Sequence, residues 1–159
     1  ACGDGTVITF GCMDSSPKSA NVVPSQVTFT ADCRSSDIRS IRTVMEAFRE
    51  TLRESTEHCP DLSFEISRTL QADPAAMDMR LKKIIGDAAD ELSLSSMHLL
   101  SGAGHDTMNF KNMCPLAMIF VPSKGGRSHC PEEWTDYRQI SHGADVLLRT
   151  IIKAAAHEI

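Results

Sequence analysis

Apolar and polar residues alternate along the first part of the chain. From Thr6 to Cys12 the pattern sets Ile8, Phe10 and Cys12 on one side, the period-two signature of a strand. Asp14 to Ser19 forms a turn cluster, and Val22-Val23-Pro24 leads into a second strand from Gln26 to Arg34. There Val27, Phe29, Ala31 and Cys33 face one way, and Thr28, Thr30, Asp32 and Arg34 the other, as in a half-buried antiparallel strand. The two strands read as a hairpin. The period then changes. Ile38, Ile41, Met45, Phe48 and Leu52 recur at three- and four-residue steps, predicting a helix from a Ser36 N-cap to about His58, with Asp37 at its dipole-positive end. Cys59-Pro60-Asp61 stops it, and Leu62, Phe64 and Ile66 alternate with polar neighbours as a third strand.

Gln71-Ala72-Asp73-Pro74 marks a crossing to a different pattern. A helix follows from about Met77 to Leu92, with Leu81, Ile84, Ile85, Ala88 and Leu92 as its stripe, and then a short strand around His98 to Leu100. A glycine loop, a helical turn over Thr107 to Met113, an apolar strand from Leu116 to Val121 and a second glycine loop precede a closing helix from about Tyr137 to His157. The order is β-β-α-β followed by α-β-α-β-α, an α/β class. Strands that run continuously apolar between helices imply a parallel sheet covered on both faces, and two of them are too few to complete one. The expected division is 1–70, an α+β part, and 71–159, the closing part of an α/β domain.

Composition narrows the partners. The chain has 159 residues, 42% hydrophobic and 23% charged, with a formal net charge of -5. No Lys/Arg-rich stripe offers a footprint for nucleic acid, and no apolar run approaches the roughly 20 residues that span a bilayer. No basic-then-apolar leader precedes the first strand. The chain opens at Ala1 rather than Met, which reads as a piece of something longer or as a processed end. The cysteines, Cys2, Cys12, Cys33, Cys59, Cys114 and Cys130, form no C-x-x-C pair and read as mostly reduced thiols of a cytoplasmic protein, buried as small apolar groups, with Cys130 set apart because it directly follows His129. Met77, Met79, Met97, Met108, Met113 and Met118 read as core filler, and His58, His98, His142 and His157 as structural or solvent-facing.

Two loops carry the candidate chemistry. Ser101-Gly102-Ala103-Gly104-His105-Asp106 and Gly125-Gly126-Arg127-Ser128-His129-Cys130-Pro131-Glu132-Glu133 each run from glycines to a histidine with an acid close by. Both follow strand ends, where open α/β sheets place ligands. His129 is the better metal-ligand candidate, with Ser128 and Glu133 able to support it. No H-E-x-x-H, no H-x-D and no Glu-Glu pair precedes the loops, and Glu132-Glu133 reads as the turn into the last helix. The plainer reading is that a loop histidine is a hydrogen-bonding surface residue, Arg34 a solvated charge and Asn21 a turn residue. An unrelated α/β hydrolase with Cys130 or Cys114 as nucleophile is a further reading.

The two loops and the run Met118-Ile119-Phe120-Val121-Pro122-Ser123 closely resemble motifs of one amidohydrolase group. These are the allantoate amidohydrolases and N-carbamoyl-L-amino-acid hydrolases, relatives of the dinuclear-zinc aminoacylases and carboxypeptidases. Asn21-Val22-Val23-Pro24 and Val27 to Arg34 resemble the same group's lid segment, so the resemblance covers nearly the whole chain. It implies that 1–70 belong to a lid or dimerisation domain and 71–159 to the closing portion of the metal-dependent catalytic domain. It further implies that His129 is a metal ligand, that Asn21 and Arg34 hold the substrate carboxylate and its polar neighbours, and that the Gly104 N–H helps. Gly102, His105, Asp106 and Glu133 would shape and flank these positions, and Cys130 stands where the group often has Asn.

The group's first His-x-Asp ligand pair, its bridging Asp and its Glu-Glu pair lie upstream of these motifs and are not in this sequence. The resemblance therefore implies the C-terminal portion of an enzyme that uses two Zn²⁺ or Mn²⁺ ions to cleave an N-carbamoyl-L-amino acid, allantoate or a similar ureido acid. It implies a homodimer joined through the lid, and a chain inactive by itself. A non-catalytic dimerisation or binding module derived from the same group is the alternative.

Overall fold

The structure is a computed structural model that describes residues 5–156. Cys2 and His157, placed above among the thiols and the histidines, lie outside the described residues. The chain divides into two units, one of residues up to Pro74 together with Leu100–Ala103, the other of Ala75–Leu99 and residues from Gly104 onward.

In the first unit, β1 (Val7–Ser16) pairs antiparallel with β2 (Gln26–Arg34), as the alternation predicts. The ladder slips between Phe10, opposite Ala31, and Cys12, opposite Thr30, leaving Gly11 as a bulge. One extra residue reverses the alternation beyond it. Cys12 therefore leaves the side of Ile8 and Phe10, where it was expected, and joins Thr30 on the polar face. Met13 takes the apolar place opposite Phe29. β1 also continues through Asp14, Ser15 and Ser16, opposite Thr28, Val27 and Gln26. Ladder bonds outweigh the turn preference of those residues.

Helix α1 (Ile38–His58) is capped by Asp37 and not by Ser36: the Asp37 carboxylate accepts from the Arg39 N–H at 2.9 Å. The apolar stripe of α1 lies half-buried, and Phe48 meets Phe10 and Phe29 at centroid distances of 6.3 and 6.2 Å. Phe10 and Phe29 meet edge-on at 5.8 Å, so three rings join helix to sheet. The expected third strand at Leu62–Ile66 does not form. A strand exists by its ladder, and β1 and β2 pair only with each other among the described residues.

In the second unit, α2 (Met79–Glu91) starts two residues later than the apolar stripe predicts. Asp78 caps it, accepting from the Arg80 and Leu81 N–H groups at 2.8 and 3.2 Å. Ala88 and Ala89 of α2 pack against Val146 of α3 (Tyr137–Ala156), with Ile85, Leu92, Leu94 and Ile119 around them. Small side chains at this contact allow the helices to approach closely. Glu91 receives both Arg149 and Lys153, which ties the end of α2 to α3.

The strands expected at His98–Leu100 and Leu116–Val121 do not form either, because neither has a neighbouring strand among the described residues. The Leu116 carbonyl accepts from the Asp78 N–H at 2.7 Å. Gly143 of α3 is a close-approach position: a Cβ there would stand 2.5 Å from Val121 Cγ1. Met79, Met97 and Met113 are exposed and do not fill the core; Met77, Met108 and Met118 are half-buried. The α3 residues Leu147, Leu148, Ile151 and Ile152 are more than half exposed. No helix among the described residues is long and apolar enough to cross a membrane.

Candidate functional site

Arg34 ends β2 on its polar face, two residues from Asp32, and the strand period points both side chains the same way. Asp32 Oδ1 accepts from Arg34 Nε at 2.9 Å and Oδ2 from Nη2 at 2.8 Å, a two-bond contact along one edge of the guanidinium. The third contact is long-range: Nη1 donates to the Gly102 carbonyl at 3.0 Å, which holds the start of the first glycine loop to the strand end. Arg34 is thus paired and not merely solvated. The hydrogen bond from Arg34 holds the Asp32 carboxyl below the usual carboxylate range, and the same contact raises Arg34 above its ordinary value. Sequence reasoning placed both residues on one face but missed that Asp32 is the partner, although the spacing carries that signal.

Asn21 lies exposed in the turn before β2, where its side-chain oxygen accepts from the Ser19 hydroxyl at 2.7 Å. In the first glycine loop, the Ala103 N–H donates to Ser101 Oγ at 3.3 Å. A Cβ added at Gly102 or Gly104 would meet nothing within 4 Å, so both backbones border open space. Asp106 opens a 3-10 turn (Asp106–Phe110), and the His105 ring meets Phe120 edge-on at 5.6 Å.

The second glycine loop closes on itself. Gly125 and Gly126 take φ of 65° and 66°, in the left-handed region where a Cβ is penalised. The Lys124 N–H donates to the Trp134 carbonyl at 2.8 Å, and the Ser123 hydroxyl to the Arg127 carbonyl at 2.7 Å. His129 also has a positive φ of 57°, a conformation histidine adopts more readily than most residues. Glu133 accepts from the His129 backbone N–H at 2.9 Å. Glu133 therefore fixes the backbone of His129, not its imidazole, which makes no hydrogen bond among the described residues.

His129 is exposed, and Cys130 half-buried beside it. No disulfide links the described cysteines, and none of them is buried as expected: Cys12, Cys59 and Cys114 are exposed and Cys33 is half-buried, because the segments that carry them lie at the surface of their units. Among the described residues no three His, Cys, Asp or Glu side chains gather as a metal site. A zinc site takes three or four protein ligands. An exposed imidazole such as that of His129 is of the ligand type, and the described residues around it do not make a complete set.

Residues 3–153 match the model of peptidase family M20/M25/M40. The N-carbamoyl-L-amino-acid amidohydrolase of Paenarthrobacter aurescens is 33% identical over 148 residues, covering 93% of this chain and 36% of that protein. The allantoate amidohydrolase of Escherichia coli is 31% identical over 153 residues, covering 96% of this chain and 37% of that one. Among solved structures, an amidase of the hydantoinase/carbamoylase family from Burkholderia vietnamiensis superposes with a TM-score of 0.84 at 30% identity, over 97% of this chain and 37% of that one. The chain thus spans little more than a third of the length of these relatives, and its mixed helix-and-strand fold is theirs. By the match across nearly all of its residues, the chain belongs to the peptidase family M20/M25/M40.

Proposed function

We propose that this chain is the C-terminal part of a metal-dependent amidohydrolase that cleaves the linear C–N bond of an N-carbamoyl-L-amino acid, allantoate or a similar ureido acid. The observation that carries the reading is the family match over residues 3–153, joined to relatives named for those two activities. In the first unit, which serves as a partial lid, Arg34 and Asn21 bind the substrate carboxylate and its polar neighbours. A planar guanidinium suits that task because it can give a carboxylate two charge-assisted bonds.

In the second unit, Gly104 offers a backbone N–H beside open space, and His129 offers one metal ligand. Gly102, His105, Asp106 and Glu133 hold the shapes of the two loops. Zn²⁺ or Mn²⁺ would take its other ligands from polypeptide outside this chain, so the 159 residues by themselves bind metal weakly and turn nothing over. The working protein is a cytoplasmic homodimer joined through its lid, and its partners are small ureido acids rather than nucleic acid or membrane. The net charge of -5 agrees with the exclusion of nucleic acid.

Ammonia release from N-carbamoyl amino acids and from allantoate tests the proposal, with this chain and with the longest polypeptide expressed from its own locus. The longer product should hydrolyse one of these substrates and the 159-residue chain none. Turnover with stoichiometric metal in the short chain would remove the partial-enzyme reading. The exposed apolar residues of α3 favour a second reading, a non-catalytic dimerisation or binding module. It predicts an inactive longer product and a dimer, seen by gel filtration with light scattering, that His129→Ala leaves intact.

A further inference from the structure

A guanidinium carries five N–H groups. On Arg34, Asp32 engages those of Nε and Nη2, and the Gly102 carbonyl engages one on Nη1. Among the described residues one N–H remains on Nη1 and one on Nη2, the number a carboxylate takes in a two-bond contact. The pinning comes from two directions. One partner is a strand neighbour two positions away, and the other is 68 residues distant in sequence. An arginine this exposed would otherwise sample many rotamers and lose that freedom on binding.

We propose that Asp32 is a positioning residue for Arg34, holding one edge of its guanidinium so that the two remaining N–H groups meet a ureido acid's carboxylate without a further loss of side-chain freedom. The proposal rests on the reading that Arg34 binds the substrate carboxylate. It differs in sign from a purely electrostatic account. Asp32 sets a negative charge beside the cation, so by charge alone its removal would strengthen the binding of an anion; by positioning, its removal weakens it.

The test is magnetic resonance of isotope-labelled arginine in the 159-residue chain, titrated with N-carbamoylglycine. In the unsubstituted chain, rotation about the Arg34 Cζ–Nε bond should be restrained, and the ligand should shift the Arg34 Nη signals. Asp32→Asn and Asp32→Ala should both release that rotation and weaken binding about 5-fold. Both side chains of the pair are 53% exposed on the polar face, so the sheet should persist, and the backbone amide spectrum checks that it does.

Equal or tighter binding by either Asp32 variant overturns the positioning role and leaves Arg34 as the carboxylate anchor. Arg34 signals that ignore the ligand in the unsubstituted chain, or an Arg34→Lys variant that binds as well, overturn the anchor reading and the positioning role with it.

Discussion

At the scale of single residues, the two best-defined positions are a contact and a gap. Asp32 and Arg34 form the contact, and their pairing follows from the two-residue period of β2. Gly143 marks the gap, a missing side chain whose place Val121 fills: a Cβ would stand 2.5 Å from Val121 Cγ1. Glycine to alanine inside a helix ordinarily stabilises, but here the added methyl has no room. Gly143→Ala should cost about 1–3 kcal/mol by urea denaturation. Placed in a Val121→Ala background, the same substitution should cost nothing or stabilise. The glycine was visible in the sequence, but its reason was not, because Val121 lies on a segment 22 positions away that only packing brings to α3.

At the scale of elements, caps and aromatic contacts set the helices. Hydrogen bonds from Arg39 hold the Asp37 carboxyl below its ordinary value, and those from Arg80 do the same for Asp78. A carboxylate whose folded value is depressed stabilises the fold above its unfolded value, and that contribution is lost as pH falls through the folded one. The starts of α1 and α2 should therefore hold at neutral pH and loosen below about pH 4, near the unfolded carboxylate value. Circular dichroism on acid titration should show this, and Asp37→Asn with Asp78→Asn should flatten the response. Phe48 joins α1 to the rings of Phe10 and Phe29. Because these rings are only partly buried, Phe48→Ala should cost about 2 kcal/mol, less than at a fully buried site. Hydrogen exchange should locate the loss in β1, β2 and α1.

At the scale of the whole molecule, the chain carries more apolar surface than its own elements cover. Leu147, Leu148, Ile151 and Ile152 of α3 are more than half exposed, and Val7, Phe10 and Met13 of β1 likewise. A chain that spans little more than a third of its relatives' length has fewer elements with which to bury such faces. The 159-residue chain should therefore bind an apolar fluorescent dye strongly at neutral pH. Leu148→Glu with Ile152→Glu should remove a large part of that signal without loss of helix by circular dichroism. Unchanged fluorescence would mean that this face is covered in solution.

The sequence by itself determined β2 from Gln26 to Arg34, the three helices to within a turn at each end, and the family. Each of these rests on local periodicity or on motifs that sit within one stretch of chain. Tertiary structure decided the rest. The bulge at Gly11 moved Cys12 to the polar face, because strand register is a property of two strands together. Leu62–Ile66 and Leu116–Val121 read as strands yet form none, because a ladder needs a neighbour that periodicity cannot supply. Asp32 as the partner of Arg34 was legible from spacing, whereas the Gly102 carbonyl was not, since 68 residues separate it from Arg34 and only the folded chain brings them to 3.0 Å.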